Sequence, residues 1–464
     1  MNRTISLTEG PILKALLRFS VPFLLANLLQ ALYGAVDLMV IGWFCPAESV
    51  AAVSTGTQVT QIITSLITGF TMAGTILVGK YAGMKKQKEV ETSISTTITF
   101  FGVFSIFLTV ILLLNISNIL RLLQIPGESF DEAYRYIFIC CLGIFFICEY
   151  NALSAVLRGY GDSLSPLFFV AIACVCNVAG DFLTVAVLGM GAAGTAIATV
   201  ASQGISMLAA ILYLNHKKFI FHFSLRTLRM DRRILKELIF IGVPVSFQEC
   251  MVRFSFLYLT AIMNGFGVLA ASAVGIASKY DVFAMLPATS ISNALTALTA
   301  QNLGAGKPKR AKQFLKYGMT AAFLCSFVFF AWAQLSPQNM IRLFSGDPEV
   351  IAAGMPFFRG CSFDYLAVSF LFCLNGYLNG HEKTLFTMLN CCAGALLIRV
   401  PVLFLLVHAG ISNLRIYGLV SPASSLVMIG VIGIYGIIHR SRQSPVPAAL
   451  SGPPCQTAEN LRET

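Results

Sequence analysis

The sequence is poor in charge. Only 11% of its 464 residues are Asp, Glu, Lys or Arg, whereas 56% are hydrophobic, and the mean hydropathy is +0.78. Soluble domains carry about 25% charged residues, so the chain has less than half of the charge that a water-soluble enzyme needs. A disordered protein is excluded too, because disorder requires low hydrophobicity. The remaining class is an integral membrane protein with many spans.

Motifs of enzymes and cofactors are also missing. The 13 Cys form no Cys-x-x-Cys pair and the five His are scattered, which argues against a zinc or redox centre. Two matches to nucleotide-binding patterns fail, because Gly189–Gly194 falls between two apolar runs and Gly74–Lys80 is followed by Tyr81 instead of Ser or Thr. We therefore expect no enzymatic activity and no cofactor.

Apolar stretches long enough to cross about 30 Å of hydrocarbon need about 20 residues each. Six fall in the first half of the chain, at 19–43, 51–79, 93–114, 136–157, 165–188 and 192–214. Six more fall in the second half, at 238–263, 271–299, 317–334, 356–379, 385–407 and 416–438. The prediction is an all-α membrane protein with 12 transmembrane helices.

The placement of Lys and Arg predicts the orientation. Most of the 32 basic residues fall in segments that share one side with the N-terminus, and such segments face the cytoplasm in bacterial membrane proteins. The net charge of +11 therefore reflects topology, and we expect no nucleic-acid partner. The predicted location is the bacterial plasma (inner) membrane, with both termini cytoplasmic.

The two halves of the chain are related to each other. Gly83 and Gly304 are 221 positions apart, and so are Gly159 and Gly380. A constant offset over such a distance indicates an internal duplication, here of two six-helix lobes related by a pseudo-twofold axis along the membrane normal. The predicted parts are an N-terminal segment (1–18), an N-lobe (19–214), a linker (215–237), a C-lobe (238–440) and a disordered tail (441–464).

Acidic residues inside the N-lobe spans have no basic partner there. Asp37, Glu149 and Asp181 lie within predicted spans one, four and five, and an uncompensated charge at the bilayer centre costs about 3 kcal/mol. Asn177 and Thr199 are predicted at a depth similar to that of Asp37 and Asp181. These oxygen groups suit a hard cation, and buried carboxylates also suit protons, so the sequence leaves Na⁺ and H⁺ both open.

The C-lobe differs, because its intramembrane charges are mixed. Acids and bases are equal in number there: Glu249, Arg253, Lys279, Asp281, Asp364 and Arg399. Glu249 and Arg253 are four positions apart on one helical face and are expected to pair. Two interpretations stay open: a self-neutralised network that fixes helix packing, and a substrate or second-lobe site at Glu249, Arg253, Asp281 and Asp364.

The chain resembles the multidrug and toxic compound extrusion (MATE) family. The resemblance covers about residues 10–440. It rests on the following segments: Ser20–Pro22, Asp37–Gly42, Leu157–Ser163 with Pro166, Gly194–Thr199 and Ala300–Ala305. The presence of Asp37, Asn177 and Asp181 together is most similar to the DinF/MepA-like branch.

The resemblance implies alternating access and antiport of drugs against Na⁺ or H⁺. It places a coupling site at Asp37, Asn177, Asp181 and Thr199, with Tyr136 nearby, and a hinge at Pro22 of the first span. Glu249 and Asp364 resemble acids that the NorM-type branch uses in its second lobe.

We therefore expect a cation-coupled efflux antiporter that exports amphipathic organic cations across the lipid bilayer as a monomer. The alternative is a lipid-linked oligosaccharide flippase of the same superfamily, which predicts a cavity rich in Arg and Lys. A membrane enzyme and a receptor-like protein are the weaker alternatives.

Overall fold

The computed structural model describes residues 7–123, 125, 127–216 and 227–442, and over these residues it is almost entirely helical, with no strand. The helices of the first half are α1 (Ile12–Phe44), α2 (Ala47–Gly83), α3 (Gln87–Leu122), α4 (Gly127–Leu142), α5 (Ile144–Tyr160), α6 (Leu164–Asp181, continued by a π-helical turn over Phe182–Val187) and α7 (Gly191–His216). Those of the second half are α8 (Arg232–Gly265), α9 (Val268–Gly304), α10 (Pro308–Leu335), α11 (Pro337–Arg342), α12 (Pro348–Gly380), α13 (Thr384–Cys392, continued by a π-helical turn over Ala393–Arg399), α14 (Val400–His408) and α15 (Leu414–Arg442).

Within the described ranges, eleven helices are long and apolar enough to cross a membrane, and the pair α4–α5, bent by 43°, supplies a twelfth span. The predicted all-α fold is confirmed. The bend falls at Gly143, where a side chain would collide with Val200 of α7. A glycine there allows α7 to lie against the break in the span.

The helices turn apolar side chains outwards. Leu114, Val175 and Leu397 are each at least 70% exposed, an arrangement that would aggregate in water. In a bilayer the same faces contact lipid chains, which are as apolar as the side chains themselves. These surfaces therefore agree with the low charge of the sequence.

The duplication is visible in the hydrogen bonds. The Thr75 hydroxyl of α2 donates to the carbonyl oxygen of Ala155 at 3.3 Å. The Thr296 hydroxyl of α9 donates to the carbonyl oxygen of Gly376 at 3.1 Å. Both members of the second pair lie 221 positions after those of the first, so the offset found in the sequence relates real contacts.

One region where the lobes meet is formed by the last turns of α2 and α9. A Cβ atom on Gly83 would collide with the backbone carbonyl of Gln301, and one on Gly304 would collide with that of Lys80. These two contacts are again related by the 221-residue offset. We call this region, Lys80–Met84 with Gln301–Ala305, the lobe-contact face.

The start of the chain crosses to the C-lobe near this face. Leu7 is 1% exposed, and its carbonyl oxygen accepts a hydrogen bond from the Asn302 side chain at 3.1 Å. The Arg310 guanidinium donates to the carbonyl oxygens of Glu9 and Gly10 at 2.7 and 2.8 Å. The parts of the predicted segments that fall at 1–6, 217–226 and 443–464, which include nearly all of the predicted disordered tail, lie outside the described residues.

Candidate functional site

Four predicted N-lobe site residues come together from three helices. Asp37 lies on α1, Asn177 and Asp181 on α6, and Thr199 on α7. The Asp37 carboxylate is within hydrogen-bonding reach of the side chains of Asp181, Asn177 and Thr199. The Asn177 amide donates to the Thr199 hydroxyl at 3.4 Å. The depth estimated from the sequence thus selected residues that meet in space.

Four oxygen atoms of this cluster lack hydrogen-bond donors. Asp37, Asn177 and Asp181 are 8%, 1% and 0% exposed. One oxygen of Asp37, the amide oxygen of Asn177 and both oxygens of Asp181 are buried without any hydrogen-bond partner in the described protein. Leaving such groups unpaired is costly, and oxygen ligands are what Na⁺-like hard cations bind. The cluster therefore fits a bound cation or bound protons.

Backbone features next to Asp181 bring α6 and α7 together. A Cβ atom on Gly180 would lie 2.9 Å from the Cβ atom of Ala198, so the glycine permits the close approach that lets Asn177 reach Thr199. The π-helical turn over Phe182–Val187 begins directly after Asp181, and π-helical turns occur frequently at functional sites.

Tyr136 lies beside the cluster and does not contact all of it. Its ring fills the space over Gly56 of α2, and its hydroxyl is near Thr57 and close enough to Asp37 for an electrostatic interaction. Sequence reasoning missed Tyr33, which lies one helical turn before Asp37 and is near Gln203 of α7. The spacing of four positions between Tyr33 and Asp37 is the signal that identifies it.

Glu149 does not belong to this cluster. It is 8% exposed on α5, and one of its carboxylate oxygens lies 3.0 Å from the position that a Cβ atom on Gly102 of α3 would take. Its place at the interface of α3 and α5 separates it from Asp37 and Asp181, so the three acids without a basic partner in the N-lobe spans do not form one site.

Pro22 lies inside α1, which continues through it as one helix. The next residue, Phe23, lies under the Arg158 guanidinium with 4.5 Å between the guanidinium carbon and the ring centroid. Because proline cannot donate a backbone hydrogen bond, α1 lacks one interaction at this turn. The hinge role of Pro22 stays a prediction.

Two of the C-lobe acids border an internal cavity between α8, α9, α12 and α15. Asp281 accepts a hydrogen bond from the Tyr365 hydroxyl at 2.9 Å, and Asp364 accepts one from the Ser425 hydroxyl at 2.6 Å. Both carboxylates line the cavity, together with aromatic residues such as Phe256 and Tyr417.

The C-lobe bases do not form the expected direct ion pairs. Arg399 is 4% exposed and donates to the Ser255 hydroxyl at 2.9 Å; its guanidinium carbon lies 4.3 Å from the centroid of the Phe256 ring. Within the described ranges no carboxylate oxygen lies within 4.0 Å of Arg399 or of Arg253. Arg253 is exposed and Glu249 half-buried; the two do not form a direct ion pair, although Arg253 is close enough to Glu249 for an electrostatic interaction.

Three relatives of the chain are named for multidrug resistance or multidrug export. The chain is 29% identical to "Probable multidrug resistance protein YpnP" of Bacillus subtilis (strain 168), over 80% of this chain and 82% of that protein. It is 22% identical to "Multidrug export protein MepA" of Staphylococcus haemolyticus (strain JCSC1435), over 74% and 76%. It is 24% identical to "Probable multidrug resistance protein NorM" of Thermotoga maritima, over 85% of each.

Solved structures share the fold. The structure described as "Outward-facing conformation of a multidrug resistance MATE family transporter of the MOP superfamily" superposes with a TM-score of 0.87 at 20% identity, over 95% of this chain and all of that one. The MatE family model matches twice, at residues 22–183 and 244–405. The two matches are 222 positions apart and begin at Pro22 and Pro244, in agreement with the duplication. The chain therefore belongs to the MatE family of multidrug and toxic compound extrusion transporters, as its resemblance predicted.

Proposed function

We propose that the protein is a multidrug efflux antiporter that couples export of amphipathic organic cations to entry of Na⁺ or H⁺ by alternating access. The observation that carries the proposal is the buried cluster of Asp37, Asn177, Asp181 and Thr199, in which three of the four carboxylate oxygens have no hydrogen-bond donor in the described protein. Bound ions or protons, one for each carboxylate, would neutralise this cluster, and their release would leave negative charge that favours the uptake of a cationic drug.

The energetics allow this coupling. Entry of two ions or protons in exchange for one monovalent drug cation moves one net charge inwards, and down a potential of 100 mV this releases about 2.3 kcal/mol, which corresponds to a drug gradient of roughly fiftyfold. The two carboxylates of the cluster could carry two such charges. Asp37 lies on α1, which also carries Pro22. Binding at the cluster is therefore placed to change the shape of α1, and we propose Pro22 as the hinge.

We propose that the substrate binds at the C-lobe cavity, which encloses about 40 Å³ in this conformation and must widen to admit a drug-sized cation. Its carboxylates, Asp281 and Asp364, and its aromatic walls suit an organic cation, which interacts favourably with both. Glu249 and Arg253 do not line this cavity, so we assign them a packing role.

The proposed setting is a bacterial plasma membrane with both termini in the cytoplasm. The side on which most Lys and Arg residues fall supports this orientation. All residues of the proposed coupling site come from one chain, so we propose that a monomer is sufficient.

The test is ethidium accumulation in a drug-sensitive bacterium that expresses wild type, Asp37→Asn or Asp181→Asn. We expect each substitution to abolish most efflux, a loss of tenfold or more, because an amide cannot change its charge. The control is Asp131→Asn, which removes an exposed acid of α4 and should leave efflux unchanged. All variants must reach the membrane at equal levels.

Full efflux in both cluster variants would contradict the coupling site. If wild type exports no tested cation, the antiporter proposal fails and the lipid-linked oligosaccharide flippase takes its place. Drug-driven ion movement in proteoliposomes, measured with sodium varied at constant pH, then distinguishes Na⁺ from H⁺.

A further inference from the structure

Lys80 forms the only ion pairs within 4.0 Å among the residues that the structure describes. Its ammonium nitrogen lies 2.8 Å from a carboxylate oxygen of Glu382 and 3.5 Å from one of Glu237. The Tyr81 hydroxyl donates to the two oxygens of Glu237 at 3.2 and 3.3 Å. The Lys80 side chain is 24% exposed, so these pairs are only partly screened by solvent.

These pairs join the two lobes. Lys80 lies in the last turn of α2, in the N-lobe. Glu237 lies near the start of α8, the first helix of the second half, and Glu382 lies in the turn between α12 and α13, in the C-lobe. They lie at the lobe-contact face, where Gly83 and Gly304 each allow the backbones of the two lobes to approach closely. Separation of the lobes there would break both ion pairs.

Glu382 has a backbone conformation that favours glycine, which indicates that its carboxylate side chain has a role at this position. Glu382 has φ of +60°, in the left-handed region, which costs a residue with a side chain roughly 1–2 kcal/mol. The equivalent position in the first copy, 221 positions earlier, is Gly161, with φ of +99°. The second copy thus carries a strained residue where the first has glycine, and that residue makes the shorter ion pair with Lys80.

The ion pairs of Lys80 are not a requirement of the repeated fold. The equivalent of Lys80 in the second copy is Gln301, which is uncharged, and Gly161 has no carboxylate. The mirrored contact of Gly83 and Gly304 therefore holds on both sides of the pseudo-twofold axis, whereas the ionic contact exists on one side only.

We infer that Lys80, Glu382 and Glu237 form a latch that keeps the lobe-contact face closed and must break each time the transporter opens on that side. The inference rests on alternating access as proposed above. Because an ion pair of this exposure contributes modestly, the latch biases the two states without locking one of them, as a cycling transporter requires.

The test is hydrogen–deuterium exchange of the full-length protein in nanodiscs without substrate, read on the end of α9, Ala300–Gly306. Glu382→Gly removes the shorter of the two ion pairs of the latch and relieves the backbone, so folding is preserved. We expect it to speed exchange there by about two- to fivefold. Lys80→Met removes both ion pairs and should give at least as large an increase, and Glu382→Gly should add nothing in the Lys80→Met background.

The matched control is Lys85→Gly. Lys85 is exposed, lies in the turn after α2 and has φ of +58°, and its equivalent in the second copy is Gly306. This substitution relieves the same strain and removes one charge at the same end, but it leaves the latch intact, so exchange of α9 should match wild type.

Wild-type exchange in Glu382→Gly would overturn the latch, and so would an equal increase in Lys85→Gly. The readout needs neither transport nor a coupling ion. A failure of the proposed antiport therefore appears in the ethidium assay and a failure of the latch in the exchange assay.

Discussion

At the scale of single residues, the candidate coupling site depends on a glycine as much as on its acids. Asn177 and Thr199 can touch because Gly180 lets α6 approach Ala198 of α7. Buried polar groups are useful only when their spacing is fixed to a fraction of an ångström. The small residue at this contact therefore sets the geometry of the cluster that contains Asp181.

We expect Gly180→Ala to destabilise the protein by about 1–3 kcal/mol, because its Cβ atom has no room beside Ala198. The melting temperature of the purified protein should fall and ethidium efflux should weaken. The control is Gly275→Ala in α9, where nothing lies within 4 Å of the added atom and where alanine should be neutral or stabilising. An unchanged melting temperature for Gly180→Ala would show that α6 and α7 have room to separate.

At the scale of the helix, α1 combines a turn that lacks a backbone hydrogen bond with a buried acidic residue. Pro22 removes a backbone hydrogen bond near one end of α1, and Asp37 lies four turns further along. Pro244 occupies the corresponding place in α8, although α8 carries no residue of the N-lobe cluster. A bend at Pro22 could therefore be coupled to binding at the N-lobe cluster through α1, whereas a bend at Pro244 could not be coupled to it through α8.

We expect Pro22→Ala to leave the protein folded, because alanine restores the missing donor in a helix that is already continuous, and to reduce efflux severalfold by stiffening α1. Pro244→Ala should affect efflux much less. Efflux and melting temperature measured side by side separate the two effects. Equal losses of efflux in both variants would remove the special role of α1.

The sequence was sufficient to predict the number of spans and the members of the N-lobe cluster, since length and depth are properties of a single helix. It was not sufficient to predict which way each helix is rotated. Lipid and protein interior are both apolar, so the side-chain pattern of a buried helix does not report its orientation clearly. Two residues illustrate the missing information about helix rotation. Glu149 lies inside a span but is turned towards Gly102, and Arg253 is exposed and makes no direct ion pair with Glu249.

At the scale of the whole molecule, the two lobes meet through backbone atoms. Gly83 lies on the carbonyl of Gln301 and Gly304 lies on that of Lys80, and backbone cannot move aside as a side chain can. The same face carries the latch of Lys80 and Glu382 and lies near the docked segment Leu7–Gly10. Three kinds of contact thus close one end of the bundle.

Gly83→Ala and Gly304→Ala should each force the lobes apart, because the added methyl group would overlap a carbonyl oxygen of the other lobe. We expect both variants to lose efflux severalfold and to melt at lower temperature, and to resemble each other because the contacts are duplicates. Gly79→Ala, one turn earlier in α2, is the control, since its added atom would lie 3.4 Å or more from its neighbours. If Gly83→Ala keeps full efflux while Gly304→Ala does not, closure at this face does not follow the pseudo-twofold axis.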